Sequence, residues 1–128
     1  EELPLVCYTG RSSMGQAVQY FLSQRRIAPQ STLEFDASEA VLRMVESDIG
    51  WTISTPLCLL QARAQLMNIA VLQLPPPQAY RSIYVVYRQN ELSQVIAEIV
   101  NVCRTCVQTT ILPNLLRLAP WAFSEVAS

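Results

Sequence analysis

Two short hydroxyl-rich segments are the parts of this 128-residue sequence best suited to bind a ligand. They are residues 9–13, Thr-Gly-Arg-Ser-Ser, and residues 52–55, Thr-Ile-Ser-Thr. Each follows an apolar run and precedes a helical pattern, so its hydroxyl and backbone N–H groups fall at the positive end of a helix. Such groups hold a small carboxylate or phosphate, but serine and threonine at a helix start are most often only caps. The sequence is compatible both with a site for a small anion and with two simple helix caps.

Histidine and lysine are missing from the sequence, and all nine basic residues are arginine. This excludes a Ser-His or Cys-His nucleophile, an HExxH metal site, a Schiff-base lysine and a Ser-Lys pair. The formal net charge of −1 also lacks the cationic excess with which a segment grips a nucleic-acid backbone. The inventory therefore predicts a protein without catalytic residues, in which binding depends on hydroxyl, amide and guanidinium groups.

Cys103 and Cys106 have the spacing of a redox or metal motif. They fall well inside a predicted helix, and the sequence has neither a second such pair nor a histidine to complete a zinc site. We therefore expect no metal ion and no cofactor. All four cysteines are predicted to be reduced and to pack as small apolar residues. A solvated helix face accounts for the acidic residues between positions 34 and 48.

Strand-like and helical patterns alternate along the chain, which predicts an α/β fold with a largely parallel sheet. The predicted strands cover residues 3–9, 33–35, 51–54, 69–74 and 81–88, and the last has the strongest β signal. Helices are predicted to start near residues 13, 38, 56 and 93, and Pro113 is expected to break the last of them. No apolar run approaches the roughly 20 residues that cross a bilayer, and no signal-peptide pattern is present, which favours a cytoplasmic protein without a membrane partner.

The first two helix starts carry capping patterns. Ser13 with Gln16 forms a capping box, and Ser12 is the alternative cap. Asp36 with Glu39 forms a second box, in which Ser38 competes as the cap. Both patterns predict that the helices begin directly after short strands.

Further along the chain, a turn and two more helix starts are predicted. Gly50 is expected to take a positive φ in the turn at residues 48–50. Thr55 is predicted to cap a helix with Pro56 at its first position, and residues 90–93 are predicted to cap the long helix.

Residues 45–56, Val-Glu-Ser-Asp-Ile-Gly-Trp-Thr-Ile-Ser-Thr-Pro, resemble part of the effector-binding domain of LysR-type transcriptional regulators. In that family a helix ends in Val-Ala-Ala-Gly-Leu-Gly before a short apolar strand and a proline. Here Asp48 replaces the first glycine and Gly50 keeps the second. The strand and helix patterns on either side follow the family's order, so that the resemblance covers about residues 1–110.

The resemblance implies a periplasmic-binding-protein-like type II fold, in which two α/β subdomains are joined by crossing strands. Residues 1–75 would form subdomain II, residues 76–80 the hinge, and residues 81–128 the carboxyl-terminal part of subdomain I. One subdomain would thus be complete and the other partial, with the DNA-binding winged helix-turn-helix upstream and absent from this chain. Residues 81–128 are then expected either to self-associate or to be disordered, because strand edges and apolar helix faces would be exposed.

The function implied by the resemblance is that of a non-enzymatic bacterial sensor. A small, anionic or polar metabolite would bind in the cleft between the subdomains and alter how a homodimer or homotetramer presents its DNA-binding domains. DNA would be contacted only through the amino-terminal domain. A two-lobed solute-binding module of a transport system is the alternative. The residues expected to bind the ligand are Thr9, Gly10, Ser12, Ser13, Gly50, Trp51 and Thr52.

Overall fold

The computed structural model describes residues 3–89 and 93–123. The chain divides into two compact units, Glu1–Leu72 and Gln73–Ser128. The first unit holds both hydroxyl-rich segments.

A small parallel sheet organises the first unit. Strand β1 (Leu5–Tyr8) pairs in parallel with β2 (Thr32–Phe35). On its other side, β1 is linked to the third predicted strand by a parallel bridge between Leu5 and Trp51. β1 is therefore the central strand, and the two strands predicted nearest the amino terminus are confirmed.

Three helices follow the strands of the first unit. They are α1 (Ser13–Gln24), α2 (Ser38–Glu46) and α3 (Pro56–Gln61), with a short 3₁₀ turn at Ala64–Leu66. The alternation of strands and helices confirms the mixed α/β class for this unit. Because a parallel strand must be followed by a crossover, α1 returns the chain from the end of β1 to the start of β2.

The core of the first unit lies between β1 and its flanking helices. Val6, Val41 and Leu42 are at most 1% exposed. Burying an aliphatic side chain of this size stabilises the fold by about 1.5–3 kcal/mol. The main cluster consists of Leu5, Val6, Tyr8, Met14, Val18, Leu22 and Val41. Since three of these belong to β1, packing holds that strand rigidly and with it the loop that follows Tyr8.

Ser12, the alternative in the capping prediction, is the residue that caps α1. Its backbone is extended, with φ −81° and ψ 151°, and its hydroxyl accepts from the Gly15 N–H. The predicted Ser13–Gln16 box is wrong by one residue. The cause is a tight turn that fixes Ser12 in the extended conformation a cap requires, so that Ser13 is already helical.

The second capping box is also wrong, whereas the prediction for the third helix is confirmed. Ala37 is the residue before α2 and has extended backbone, with φ −113° and ψ 136°. Alanine has no side-chain acceptor, so this helix starts without a side-chain cap. Thr55 caps α3 by accepting from the Cys58 N–H at 3.3 Å, and Pro56 occupies the first turn.

The turn after α2 uses an aspartate in the place where a glycine was expected. Asp48 has φ 58°, and no glycine of the described residues has a positive φ. Gly50 is needed for another reason: a Cβ atom there would overlap the Pro4 carbonyl oxygen and lie 2.9 Å from Val6 Cγ2. Asp48 therefore supplies the left-handed residue, which aspartate tolerates better than most side chains. Gly50 lets the chain pass close to β1.

The second unit is helical over most of its described length. It contains α4 (Ser93–Cys106), a π-helical turn at Val107–Ile111 and α5 (Leu112–Leu118), followed by a 3₁₀ turn at Pro120–Phe123. The prediction that Pro113 breaks the helix is wrong. The π-helical turn shifts the hydrogen-bond register just before the proline, whose missing N–H would interrupt a regular α-helix. The predicted cap at residues 90–92 lies outside the described residues.

Two predicted strands, residues 69–74 and 81–88, have no strand structure. Ile83, Tyr84 and Val86 are 80%, 77% and 89% exposed, respectively. A strand forms only where a neighbouring segment accepts and donates its backbone hydrogen bonds. Within the described residues no strand pairs with these segments, so they form no part of a sheet.

The four cysteines differ from their prediction in burial. All are free thiols. Cys7 and Cys58 are half-buried in the first unit, and burial raises the pKa of the Cys7 thiol, with a smaller contribution from Glu34. Cys103 and Cys106 are exposed, so their predicted packing in a core is wrong. The reason is that α4 has no buried residue, because its apolar face contacts no second layer among the described residues.

Candidate functional site

The first hydroxyl-rich loop lies at the carboxyl edge of the sheet. The Thr9 N–H donates to the Phe35 carbonyl at 3.0 Å, which ties the loop to the end of β2. The Thr9 carbonyl accepts from the Ser12 N–H at 2.9 Å and from the Ser12 hydroxyl at 2.8 Å. These bonds form a tight turn that fixes Ser12 before α1 begins.

The start of α1 gives this edge a positive electrostatic character. The Ser12 hydroxyl satisfies the Gly15 N–H at 2.9 Å. The backbone N–H groups of the first helical turn point along the helix axis and carry the positive end of its dipole. Thr9, Gly10, Ser12 and Ser13 follow one another around this turn, so the structure brings these four predicted residues together.

Gly15 is a residue of this edge that sequence reasoning missed. A Cβ atom at Gly15 would lie 2.7 Å from both the Tyr8 backbone carbonyl oxygen and the Thr9 carbonyl carbon. It would lie closer still to the Thr9 carbonyl oxygen. Ordinary contacts between heavy atoms are about 3.5–4.0 Å. Only glycine therefore allows α1 to begin directly against the backbone that ends β1. A glycine in the first turn of a helix, where alanine is favoured, was the available signal.

The last residue of β1 adds a buried hydroxyl to the same edge. The hydroxyls of Tyr8 and Ser54 are hydrogen-bonded at 2.7 Å, and Tyr8 is only 4% exposed. Burial raises the pKa of the Tyr8 phenol, while hydrogen bonds with Ser54 and Ser38 act in the opposite direction. Tyr8 is thus a neutral phenol at pH 7. Its hydroxyl links Ser38, the first residue of α2, to Ser54, which lies two residues before α3.

Neither Tyr8 nor Ser38 was predicted as a site residue. Tyr8 was assigned to an apolar strand, and Ser38 was considered only as a helix cap. The signal that could have found them is position, because both stand where a parallel strand ends or a helix begins. The starts of α1, α2 and α3 therefore share one edge, with hydroxyls from Ser12, Ser38 and Thr55.

Gly50 and Trp51 lie at the opposite, amino edge of the sheet. The Trp51 N–H donates to the Pro4 carbonyl, and its indole Nε1 donates to the Leu3 carbonyl, both at 3.1 Å. Leu3 and Pro4 precede β1, whereas the loop at residues 9–13 follows it. A strand of four residues separates the two ends by about 13 Å. The structure therefore places these two predicted residues apart from the hydroxyl-rich loop.

A shallow cleft adjoins Trp51 at this amino edge. Its volume is about 400 Å³. It is lined by Leu3, Ile27, Ala28, Pro29, Gln30 and Trp51. These side chains are mainly apolar, so the cleft lacks the hydroxyls and helix starts of the carboxyl edge.

Thr52 lies between the two edges, on the segment that runs alongside β1. Its Oγ1 atom is buried and has no hydrogen-bond partner among the described residues. A buried hydroxyl without a partner costs about 1–3 kcal/mol. Thr52 Oγ1 is therefore the one buried side-chain polar atom of the described residues that lacks a hydrogen-bond partner.

Comparison with known proteins adds one finding to this geometry. The model of the LysR substrate binding domain matches residues 1–107. The chain belongs to the LysR substrate-binding domain family. No curated protein matches the chain, and no solved structure does. The match covers both hydroxyl-rich segments and extends through α4, so it confirms the resemblance read from residues 45–56.

The family sets the fold class and the general role of the chain. LysR substrate-binding domains have a periplasmic-binding-protein-like type II fold and belong to proteins that regulate transcription. This supports a regulatory, effector-binding role, which is consistent with a chain that is not an enzyme. Asp48, at the position of a family glycine, adopts the positive φ that a glycine would take.

One helical segment of this LysR domain qualifies by length and composition as a membrane span. It is Ser93–Leu118, whose 26 residues form a continuous helix through Pro113. The sequence prediction that no such apolar stretch exists is therefore wrong, because it ended the helix at the proline. The family match, residues 1–107, includes α4 but ends before the segment does. None of the apolar window is buried within the described structure, unlike the core helix of a soluble protein, and a single such helix is weak evidence of a membrane span.

Proposed function

We propose that the chain senses a small anionic or polar metabolite for a LysR-type transcriptional regulator. The observation that carries this proposal is the convergence of three helix starts and several hydroxyls at the carboxyl edge of the sheet. Ligands of α/β proteins bind beyond this edge, because loops and helix amino termini meet there. Backbone N–H groups of α1 and the hydroxyls of Ser12 and Ser13 would bind a carboxylate or phosphate of the effector.

One charged residue of the hydroxyl-rich loop favours an anionic ligand, whereas the first unit as a whole holds more acidic than basic residues. The Asp48 carboxylate would repel an anionic ligand nearby, but Asp48 lies two residues after the end of α2, whose first residue, Ser38, stands at the candidate site. Ten residues of helix span about 15 Å, which removes the Asp48 carboxylate from this edge. Arg11 follows Gly10 in the loop and adds a positive charge close to the helix start.

Thr52 is proposed as a second contact of the effector. Its buried Oγ1 has the capacity for a hydrogen bond that the described protein groups do not use. Gly50 and Trp51 are proposed to act indirectly, by holding the segment that carries Thr52 against β1. The backbone bond from the Val6 N–H to the Trp51 carbonyl, at 2.8 Å, is the direct link.

The subdomain assignment extends this proposal to the whole chain. Residues 1–75 would form subdomain II, residues 76–80 the hinge and residues 81–128 the carboxyl-terminal part of subdomain I. The unpaired β-prone segment at residues 81–88 and the exposed apolar face of α4 support an incomplete layer in the second unit. The rest of subdomain I, or a second copy of the chain, would complete that layer.

Regulation would follow from a shift between two arrangements of the subdomains. An effector that binds one arrangement more tightly increases the population of that arrangement. The size of the shift is set by the ratio of the effector's affinities for the two arrangements. In a dimer or tetramer this would change how the DNA-binding domains are presented, and the regulator would act in the cytoplasm. The alternative of a transport-associated solute-binding module is not favoured, because the matched family is regulatory.

Isothermal titration calorimetry tests the site directly. The probes are acetate, succinate, citrate and inorganic phosphate, added separately to the chain and to a Ser13→Ala, Thr52→Val double variant. Loss of two hydrogen bonds to a charged ligand should weaken binding by a factor of about 100 or more. Ser23→Ala is the matched control, because Ser23 lies near the other end of α1 and bonds only within the helix. Equal affinity of the double variant and the parent chain would show that the site assignment is wrong.

A further inference from the structure

A polar contact fixes the chain at the point where it is about to leave the first unit. The Glu46 carboxylate accepts the Asn68 backbone N–H at 3.1 Å through Oε1. Its other oxygen, Oε2, accepts from Arg43 Nη1 at 2.7 Å. Asn68 lies four positions before Leu72, the last residue of the unit. Glu46, the last residue of α2, therefore binds the backbone of the exit segment, residues 68–72.

The Arg43 guanidinium beside this contact favours an ionised Glu46. Arg43 lies one turn earlier on the same helix and also faces Glu39, with 4.0 Å between Arg43 Nη2 and Glu39 Oε1. The first and strongest effect on Glu46 is the Arg43 hydrogen bond, and the Asn68 N–H adds to it, so the pKa of Glu46 is lowered. The carboxylate is thus charged at neutral pH and holds both donors at once.

The exit segment has few other means of being held. The side chains of Ile69, Leu72 and Asn68 are exposed or half-buried, so apolar packing contributes little to their position. The residues just before them are fixed by a short 3₁₀ turn, Ala64–Leu66, whose Met67 N–H donates to the Ala64 carbonyl at 3.0 Å. The Glu46 contact is the next attachment along the chain after that turn.

We propose that Glu46 is a positioning residue that restrains the exit segment and thereby the freedom of the connection between the two units. This inference rests on the proposed function, because a sensor with two subdomains responds through the segment that joins them. A restrained exit segment would limit the range of arrangements open before the effector binds. Release of the contact would widen that range without altering the hydroxyl-rich edge.

Backbone amide exchange and ¹⁵N relaxation of the chain without added ligand test the restraint. In Glu46→Ala, the Asn68 amide should exchange roughly three- to tenfold faster, because it loses a hydrogen bond to a charged acceptor. Order parameters of residues 68–72 should fall from values near a rigid backbone, about 0.85, towards those of a flexible one, below about 0.6. The Val6 amide, in the sheet, should keep its exchange rate.

Two further variants separate restraint from general stability. Glu46→Gln keeps an oxygen acceptor, so it should restore part of the Asn68 protection. Glu39→Ala removes the more exposed partner of Arg43 and should leave residues 68–72 unchanged. Unchanged exchange and order parameters in Glu46→Ala would overturn the inference. Failure of every probe to bind in the calorimetric titration would instead overturn the proposed function, because the exchange experiment contains no ligand.

Discussion

Replacing Gly15 with alanine should destabilise the chain, although alanine is the better helix former by about 1 kcal/mol. The reason is the close approach of α1 to the end of β1. A Cβ atom would lie 2.7 Å from the Tyr8 carbonyl oxygen and from the Thr9 carbonyl carbon, and would overlap the Thr9 carbonyl oxygen. All three are backbone atoms, so no side-chain rotation relieves the overlap.

The size of the effect follows from the movement required. Restoring contacts of about 3.5 Å displaces the first turn of α1 by roughly 1.5 Å from a strand in which three of the four residues are buried. Overpacking of this kind costs about 1–3 kcal/mol or somewhat more, and the propensity gain of about 1 kcal/mol offsets part of it. We expect a net loss of about 2 kcal/mol in the free energy of unfolding. The Ser12 cap would weaken with it, because the Gly15 N–H moves away from its acceptor.

Urea unfolding followed by circular dichroism measures this loss. With a slope of about 1–1.5 kcal/mol per molar urea, the midpoint should fall by roughly 1.5–2 M. Gly10→Ala is the matched control, because a Cβ atom there meets only the flexible Gln19 side chain, with Nε2 at 3.1 Å. That control should stay within about 0.5 kcal/mol of the parent. If Gly15→Ala were as stable as the parent or more so, the close approach that positions the site would be refuted.

Three further substitutions probe the turn, the buried hydroxyls and the exit contact. Asp48→Gly should raise the free energy of unfolding by about 0.5–1 kcal/mol, because Asp48 has φ 58° and glycine carries no penalty there; a lower urea midpoint would contradict this. Tyr8→Phe should cost about 1 kcal/mol in the same assay, because the half-buried hydroxyl of Ser54 loses its partner. Glu46→Gln should lower stability at pH 7 and lower it less at about pH 2.5. The lowered folded pKa of Glu46 stabilises the chain only above the unfolded pKa of about 4.3, and this benefit is lost as the pH falls through the folded pKa. Parallel unfolding curves at the two pH values check the last prediction, and a pH-independent difference would show that the carboxylate charge is not involved.

The first unit was largely predictable from its sequence. An apolar run before Gly10 and a hydroxyl-rich turn before a helix-spaced apolar face specify a strand, a turn and a helix through local rules. The Thr55–Pro56 start of α3 was equally local, because the cap and the proline act within one turn. These features needed no knowledge of distant residues, and the edge that carries the candidate site follows from them.

The second unit shows where such rules fail. Residues 81–88 have the composition of a strand, but strand structure also requires a neighbour, which a local pattern does not encode. Pro113 was expected to break a helix, yet a π-helical turn accommodates it. In both cases hydrogen bonding between or within segments decided the outcome, whereas the residue type indicated only a preference.

Sequence alone determined the chemical inventory of this LysR domain, its α/β pattern and the loop with Thr9, Gly10, Ser12 and Ser13. Only the tertiary structure determined which residues lie at the carboxyl edge of the sheet and which lie at the amino edge. It set Tyr8 and Ser38 beside that loop and moved Gly50 and Trp51 to the opposite end of β1. The physical reason is that strand pairing fixes which ends of distant segments coincide. Close packing then determines where only a glycine fits.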